Sequence, residues 1–358
     1  MRVVFDVSPL SHTPLGIGNY IRGSLSGLVE AAQGRHEIVA FAPTSLRGPG
    51  RIRAALAGVD VDLRLWPLPA SHAVRTAWSR LGHPDAERVL GRFDVLHFTD
   101  WMYPPQAAGV RATTIHDLVP LHHPEWCTPR TVSMHTHKFE NTARTCDLVF
   151  VNSAYTGHDV ERTLGVAPDR IRVAHPGIRP PFRLEGAAAD LGAPYVLTVA
   201  TLEPRKNLGA LLEAHARLRG ELQLVVVGSE GWGEQPLLDR HGVRRLGFVS
   251  DDDLARLYRG AAVTVYPSRF EGFGIPVVEA MACGCPVAAS SHPSLDEASG
   301  DAAVRADPED PAGIAAAIED ALVRHDELAA RGLTHAARFT WRAAGETFLR
   351  AYEGEAVR

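Results

Sequence analysis

The sequence has few cysteines and no long apolar segment. Four cysteines, Cys127, Cys146, Cys283 and Cys285, occur in 358 residues, too few for a disulfide framework in a chain of this length. No apolar run approaches the roughly 20 residues that a membrane-spanning helix needs. Residues 1–7 lack the basic start and apolar length of a signal peptide. These absences predict a globular protein of the reducing cytoplasm.

Residue patterns for several kinds of chemistry are also missing. There is no basic stripe or nucleic-acid reading motif, so we expect no nucleic-acid partner. No Ser-His-Asp or Cys-His arrangement is visible for nucleophilic catalysis. Cys283 and Cys285 have no partner cluster at metal-ligand spacing, and we interpret them as packing at a helix end. The sequence therefore predicts no metal site.

Length and charge suggest two dissimilar halves. A chain of 358 residues is long for one core and suits two domains of ordinary size. Residues 1–183 carry 20 basic and 16 acidic side chains, whereas residues 184–358 carry 17 and 26. This asymmetry allows the first half to meet an anionic acceptor or, peripherally, a membrane surface. The oligomeric state cannot be read from these features.

Strand and helix signals alternate in two series, separated by a Pro-, Gly- and Ala-rich linker at 176–190. This alternation predicts an α/β protein with two doubly wound, Rossmann-like domains, 1–178 and 192–338, whose ligand lies in the cleft between them. The predicted strands are 3–7, 37–41, 61–65, 95–98, 112–115, 148–151, 171–173, 195–199, 222–227, 261–265, one starting at 287, and 302–304. The predicted helices are 20–30, 73–81, 154–164, 207–218, 254–260, 276–283, 312–329 and 341–357.

Two glutamates lie where a strand passes through a loop into a helix. Glu271 follows the strand 261–265, and Glu279 falls eight residues later, in the first turns of the next helix. The free N–H groups and dipole of a helix start favour an anion. Carboxylates would repel a phosphate there, so we interpret them as acceptors for sugar hydroxyls beside it. Spacing alone equally allows a solvated Glu271 and a Glu279 that complements the helix dipole.

The stretch around these glutamates reads R-F-E-G-F-G-I-P-V-V-E-A-M-A-C-G-C-P-V. It resembles the E-x7-E signature of the retaining, two-Rossmann (GT-B) glycosyltransferases of family 4. The resemblance implies that Glu271 contacts the donor sugar and Glu279 the nucleotide ribose. It also implies that Phe273, Gly274 and Ile275 help to bind the nucleotide. In that fold the last helix commonly crosses back to the first domain.

A second motif, T-L-E-P-R-K-N, follows the predicted strand 195–199. Arg205 and Lys206 stand before a helix that we expect Asn207 to cap, so two cations and helix-end amides form a clamp for a diphosphate. Such donors stabilise the charge that develops on a departing nucleoside diphosphate. The alternative is a pair of solvated loop charges. The run resembles the family's E-P-R-K-N, and a cation pair would make a metal unnecessary.

Two motifs in the first half carry the resemblance further. Gly16 and Gly18 lie between the first strand and helix and resemble the family's glycine loop, which faces the donor phosphates or acceptor; a simple turn explains them as well. Many relatives read D-A-R-P-L just before it, and here Ser8 stands in place of that arginine. The contact made from that position is therefore open. His116, in T-I-H-D-L-V-P, resembles the family's sugar-contacting histidine, although a histidine beside an aspartate can also be structural.

Two further sites concern the nucleotide. The loop G-S-E-G-W-G, starting at Gly228, resembles the family's G-x-x-G-W loop bounding the nucleotide. Val249, in the run Phe248-Val249-Ser250, would lie close to the base, at a strand end where a main-chain amide or carbonyl often reads the base edge.

The resemblance implies transfer of a hexose, with retention, from a nucleoside-diphosphate sugar to a hydroxyl of a glycan, lipid-linked or small-molecule acceptor. GDP-mannose is the first expectation for the donor and a UDP-sugar the second, with no separate cofactor. A nucleotide-sugar epimerase would need a second base that the sequence does not show. A catalytically silent nucleotide-sugar-binding partner is the non-enzymatic alternative.

Overall fold

The computed structural model describes residues 1–12, 16–218, 222–231, 238 and 240–356. Contacts divide the chain into two compact units. Unit 1 comprises Met1–Gly177 and Thr340–Arg358, and unit 2 comprises Ile178–Phe339. Each unit is an α/β structure with its own parallel sheet.

Unit 1 is built on a seven-stranded sheet covered by helices. Its strands are β1 (Arg2–Asp6), β2 (Glu37–Thr44), β3 (Asp62–Pro67), β4 (Val95–Phe98), β5 (Val110–Ile115), β6 (Leu148–Val151) and β7 (Ile171–Val173). Its helices before the boundary at Gly177 are α1 (Gly16–Ala32), α2 (Gly48–Ala55), α3 (Ser71–Leu81), α4 (Ala86–Leu90), α5 (Val119–His122), α6 (Pro129–Thr145) and α7 (Ala154–Leu164). The strand order is β3-β2-β1-β4-β5-β6-β7, so the direction of winding reverses between β1 and β4.

Unit 2 repeats this plan with six strands in its described residues. They are β8 (Tyr195–Val199), β9 (Gln223–Val227), β10 (Val243–Gly247), β11 (Val263–Tyr266), β12 (Val287–Ser290) and β13 (Ala303–Ala306). The helices are α8 (Leu208–His215), α9 (Asp251–Gly260), α10 (Ile275–Ala282), α11 (Pro293–Ser299), α12 (Pro311–Val323) and α13 (His325–Ala336). The order is β10-β9-β8-β11-β12-β13, so winding reverses between β8 and β11. Both units therefore have the predicted Rossmann-like topology.

The last helix, α14 (Trp341–Ala356), belongs to unit 1 and packs against α1. Glycines allow the two helices to approach closely. A Cβ at Gly27 would lie 1.8 Å from the carbonyl oxygen of Trp341, and one at Gly345 would lie 2.0 Å from the carbonyl oxygen of Gly27. The predicted return of the last helix to the first domain is confirmed.

Local signals explain several helix starts. Ser153 accepts a hydrogen bond from the N–H of Thr156 at the start of α7. Ser250 accepts one from the N–H of Asp253 at the start of α9. Hydroxyl caps of this kind satisfy the unpaired first N–H groups of a helix. The three aspartates 251–253 therefore form the first turn of α9, ahead of the predicted helix start at 254.

Several parts of the structure differ from the expectations, and strand β10 and helices α2, α4, α5 and α11 were not predicted. Helix α6, absent from the predicted elements, is polar on most of its surface, although Thr128 caps it and Pro129 occupies its first turn. The predicted helix 312–329 is two helices, α12 and α13, separated at Arg324. The predicted linker is largely part of unit 2, since Phe182 is buried in that unit's core. Among the described residues, no helix is long and apolar enough to cross a membrane.

Candidate functional site

The switch point of unit 2 brings two predicted motifs together. Strands β8 and β11 are parallel neighbours, so the loops that follow them leave the same edge of the sheet. The first loop carries E-P-R-K-N and the second E-G-F-G. The N–H of Arg269 donates to the carbonyl oxygen of Arg205 at 2.8 Å, which ties the loops together. Ligands of open α/β sheets bind at such switch points.

Glu271 lies at the centre of a charged network in these loops. Its Oε1 is 2.6 Å from Nζ of Lys206, and its Oε2 is 3.0 Å from Nη1 of Arg205. Nη2 of Arg205 is 2.8 Å from Oε1 of Glu203, a partner that the sequence analysis did not identify. Glu271 is only 6% exposed, so it is not a solvated loop charge. The predicted sugar ligand and the predicted diphosphate clamp are one hydrogen-bonded unit.

The charges in this network determine its protonation. Burial would raise the pKa of Glu271, but attraction to Arg205 and Lys206 outweighs burial and lowers the pKa to about 2. Burial and the neighbouring Arg205 lower the pKa of Lys206, against the opposing effect of Glu271. Nζ of Lys206 also donates to the hydroxyl of Tyr266 at 2.8 Å. Glu271 is therefore an ionised acceptor at neutral pH.

Asn207 connects these loops in a way that the sequence did not suggest. It occupies the position before α8, but with a φ of 57° and no capping hydrogen bond from its side chain. Its Nδ2 instead donates to the carbonyl oxygens of Pro267, at 3.1 Å, and Pro308, at 2.6 Å. The prediction of a helix cap was wrong, because the side chain bridges between loops.

Glu279 is buried on α10 and paired with Arg179. Nη2 of Arg179 lies 2.8 Å from Oε1 of Glu279, and its Nη1 pairs with Asp251. The guanidinium also lies 4.9 Å over the ring of Phe182. Burial raises the pKa of Glu279 to about 7, and Arg179 partly opposes that rise. Arg179 was missed because it stands in a Pro- and Gly-rich segment without a motif.

The predicted nucleotide glycines lie where chain segments approach closely. Gly228 has a φ of 148°, and a Cβ there would lie 1.8 Å from the carbonyl oxygen of Ala200. Gly274 precedes α10 with a φ of 101°, and a Cβ there would lie 2.4 Å from Cδ2 of Leu295. A side chain at Gly228 would therefore clash with the main chain, and the positive φ would strain any other residue at either position. Trp232 and Gly233, in the predicted loop after Gly228, are outside the described residues.

The other predicted nucleotide residues contribute to the core of unit 2. Phe273 is 2% exposed and packs edge to face with Phe339, with ring centroids 5.3 Å apart. Ile275 and Val249 are partly buried against the same core. Any contact of Phe273 with a nucleotide would therefore come from its main chain.

In unit 1, His116 follows the end of β5. Its ring meets the edge of Tyr20, with centroids 4.8 Å apart, and its Nε2 is buried without a hydrogen-bond partner in the described part of the chain. Burial, then Lys138 and His135, lower the pKa of His116 to about 3. The ring is neutral at physiological pH, and its Nε2 has no hydrogen-bond partner among the described residues.

Gly16 and Gly18 form the first turn of α1, so the expectation of a glycine loop at these positions was wrong. Neither has a positive φ, and a Cβ at Gly16 would meet no atom of the described residues within 4 Å. Beside them, Ser8 accepts a hydrogen bond of 2.9 Å from Nη2 of Arg75 on α3. A guanidinium therefore does lie next to position 8, although it comes from another helix.

The chain has two Rossmann-like units, and unit 2 has buried cations and carboxylates at its switch point. This combination is typical of a GT-B glycosyltransferase. Residues 16–182 match the family model described as Glycosyltransferase Family 4. Residues 193–324 match the one described as Glycosyl transferases group 1. The chain belongs to the group 1, family 4 glycosyltransferases, and it is a glycosyltransferase.

Similar proteins include two mannosyltransferases of Escherichia coli. The chain is 29% identical to O-antigen chain mannosyltransferase B, over 99% of this chain and 100% of that protein. It is 29% identical to the serotype-specific mannosyltransferase WbdA over 84% of its own length, but spans only 39% of WbdA. The fold resembles that of Anabaena HepE in complex with UDP-glucose, with a TM-score of 0.73, 14% identity and coverage of 99% and 100%.

Proposed function

We propose that this glycosyltransferase moves mannose from GDP-mannose to a hydroxyl of a growing glycan, free or lipid-linked, with retention of the anomeric configuration. The observation that carries the chemistry is the contact of Glu271 with both Lys206 and Arg205 at the switch point of unit 2. The choice of mannose rests on the end-to-end similarity to O-antigen chain mannosyltransferase B. The low cysteine count, four in 358 residues, fits a reducing cytoplasmic location.

The proposed reaction uses the cations at the departing group. As the bond between the anomeric carbon and the diphosphate oxygen breaks, negative charge grows on the diphosphate. Arg205 and Lys206 would stabilise that charge, and preorganised donors of this kind lower a barrier more than they strengthen ground-state binding. The departing phosphate oxygen takes the proton of the acceptor hydroxyl, which attacks from the same face. Retention follows from that geometry.

The remaining site residues would orient the substrate. Glu271, ionised at neutral pH, would accept from a hydroxyl of the donor sugar, and Glu279 from the ribose. His116 offers a neutral ring nitrogen for a further sugar hydroxyl. We propose that the two cations make a metal unnecessary for leaving-group departure.

The test is a donor panel assayed for binding and turnover. The purified protein is incubated with GDP-mannose, UDP-glucose, UDP-N-acetylglucosamine and ADP-glucose, with and without EDTA, while thermal shift and nucleoside-diphosphate release are recorded. We expect GDP-mannose to stabilise the protein and to release GDP, both with and without EDTA, and we expect both effects to be lost in Glu271→Ala. Preference for a UDP-sugar would contradict the proposed donor. Binding without release, even with mannan oligosaccharides added, would favour a silent binding partner.

A further inference from the structure

The switch point of unit 1 carries a second group of polar side chains. Asp6, at the end of β1, accepts hydrogen bonds from the N–H of Ser8 at 2.9 Å and from the hydroxyl of Thr99 at 3.2 Å. Thr99 follows β4 and directly precedes Asp100. Asp6 therefore fixes the beginnings of both loops at this edge of the sheet. The side chains that follow in these loops are therefore attached to main chain that Asp6 holds in place.

Arg75 reaches this edge from α3. It is 5% exposed, donates from Nη2 to Ser8, and lies with its Cζ 4.5 Å from the centre of the Trp101 ring. Its Nε is buried and has no hydrogen-bond partner among the described residues. A buried N–H without a partner is costly. This donor is held in place by Ser8 and Trp101 and left unused.

Two side chains near Arg75 also have polar atoms without a hydrogen-bond partner in the described residues. Oδ2 of Asp100 is 3.8 Å from Nη2 of Arg75, beyond hydrogen-bond distance, and the described residues give Asp100 no hydrogen bond. His72, whose ring centre is 4.7 Å from that of Trp101, has a buried Nε2 that also lacks a partner. Burial lowers the pKa of His72 below its usual value, so its ring is neutral. The cluster thus offers both donor and acceptor atoms.

We propose that Arg75, Asp100 and His72 bind neighbouring hydroxyls of an uncharged sugar in the acceptor, an inference that rests on the proposed function. A hydroxyl both donates and accepts, so a pair of adjacent hydroxyls satisfies this mixture of atoms. A phosphate or carboxylate would be attracted by the charge of Arg75, but the carboxylate of Asp100 would repel it. Lys138, the other cation that acts on Asp100, already donates to the carbonyl oxygen of Thr114 at 2.7 Å. The cluster therefore selects a neutral acceptor.

Binding without turnover tests this site. Saturation-transfer NMR measures the affinity of the full-length protein for α-mannotriose and for mannose 6-phosphate. Asp100→Asn keeps the size of the side chain and Arg75→Lys keeps its charge. Asp60→Asn and Arg80→Lys are exposed controls, the latter on the same helix as Arg75. We expect at least a tenfold loss of α-mannotriose affinity in the first two variants and none in the controls. The thermal shift with GDP-mannose should stay unchanged in all four.

Two outcomes would overturn the assignment. One is that Asp100→Asn and Arg75→Lys bind α-mannotriose as tightly as the wild type does, or that the wild type does not bind it at all. The other is tighter binding of mannose 6-phosphate than of α-mannotriose. A wild type that binds α-mannotriose as expected but ignores GDP-mannose would instead contradict the proposed donor, and would leave this acceptor site standing.

Discussion

Arg179 holds Glu279 in a buried ion pair, with Nη2 of the arginine 2.8 Å from Oε1 of the carboxylate. The pair joins the first residues of unit 2 to helix α10, 100 positions further along the chain. Burial raises the pKa of Glu279 to about 7, and Arg179 is the main group that opposes the rise. The ionisation of the proposed ribose ligand therefore depends on one arginine.

Arg179→Gln should shift the pH dependence of donor binding. Ionised Glu279 accepts from the ribose, so wild-type affinity should weaken as the pH falls below about 7, its pKa. Without the charge of Arg179, the pKa of Glu279 rises further, so donor affinity should begin to weaken at a higher pH. Calorimetric Kd values for GDP-mannose from pH 6 to 9 measure the shift. The exposed Arg183→Gln serves as control, and coincident profiles for Arg179→Gln and wild type would refute the coupling.

Lys206→Met should act mainly on turnover. Removing one charged contact to the developing charge should lower kcat by about two to three orders of magnitude, with a smaller change in donor Kd. Initial rates and calorimetry with GDP-mannose separate the two quantities. Arg217→Met, which removes an exposed cation beyond α8, should leave both unchanged. A kcat near that of the wild type would remove the clamp from the mechanism.

His116 should act as a neutral hydrogen-bonding group. Its pKa of about 3 keeps the ring uncharged from pH 5 to 9, so His116 should add no titration to the pH–rate profile in that range. His116→Ala should reduce kcat/KM about tenfold, which is the effect of losing roughly one hydrogen bond. His116→Gln should reduce kcat/KM by less. An acidic limb near pH 6 that disappears in His116→Gln would show a titrating histidine instead.

Tyr352→Phe should destabilise unit 1. The hydroxyl of Tyr352, on α14, hydrogen-bonds Nδ1 of the fully buried His97, whose Nε2 lies 2.8 Å from the hydroxyl of Thr114. Leaving Nδ1 unpaired should cost about 1–3 kcal/mol, measured as a lower midpoint in urea. Tyr103→Phe is the control, since the described residues give that hydroxyl no partner. Equal midpoints for Tyr352→Phe and the wild type would mean that the contact contributes no net stability.

The sequence predicted those site residues that follow strands. Glu271 and Lys206 are 65 positions apart, but each lies just after a strand, and the Rossmann-like order places those strands side by side. Motif and topology together therefore predicted a shared site. Their mutual hydrogen bond could not be predicted, because it depends on side-chain direction in two irregular loops.

Residues that reach the sites from other elements were missed for a physical reason. Arg75 meets Ser8 from 67 positions away, and Arg179 meets Glu279 from a segment that resembled a linker. Neither arginine has a local pattern that distinguishes it from a solvated charge. Helix α6 was missed because it is mostly polar, although Thr128 followed by Pro129 is a helix-start signal that was available.

Binding of the donor diphosphate by Lys206 can be tested directly, because the chain has two lysines, Lys138 and Lys206. Lysine labelled with 13C at Cε therefore gives two side-chain NMR signals, which Lys138→Arg assigns. We expect GDP and GDP-mannose to shift the Lys206 signal to saturation at the calorimetric Kd, and mannose alone to leave it unmoved. A Lys206 signal that stays in place while calorimetry shows the protein saturated with GDP-mannose would contradict diphosphate binding by Lys206.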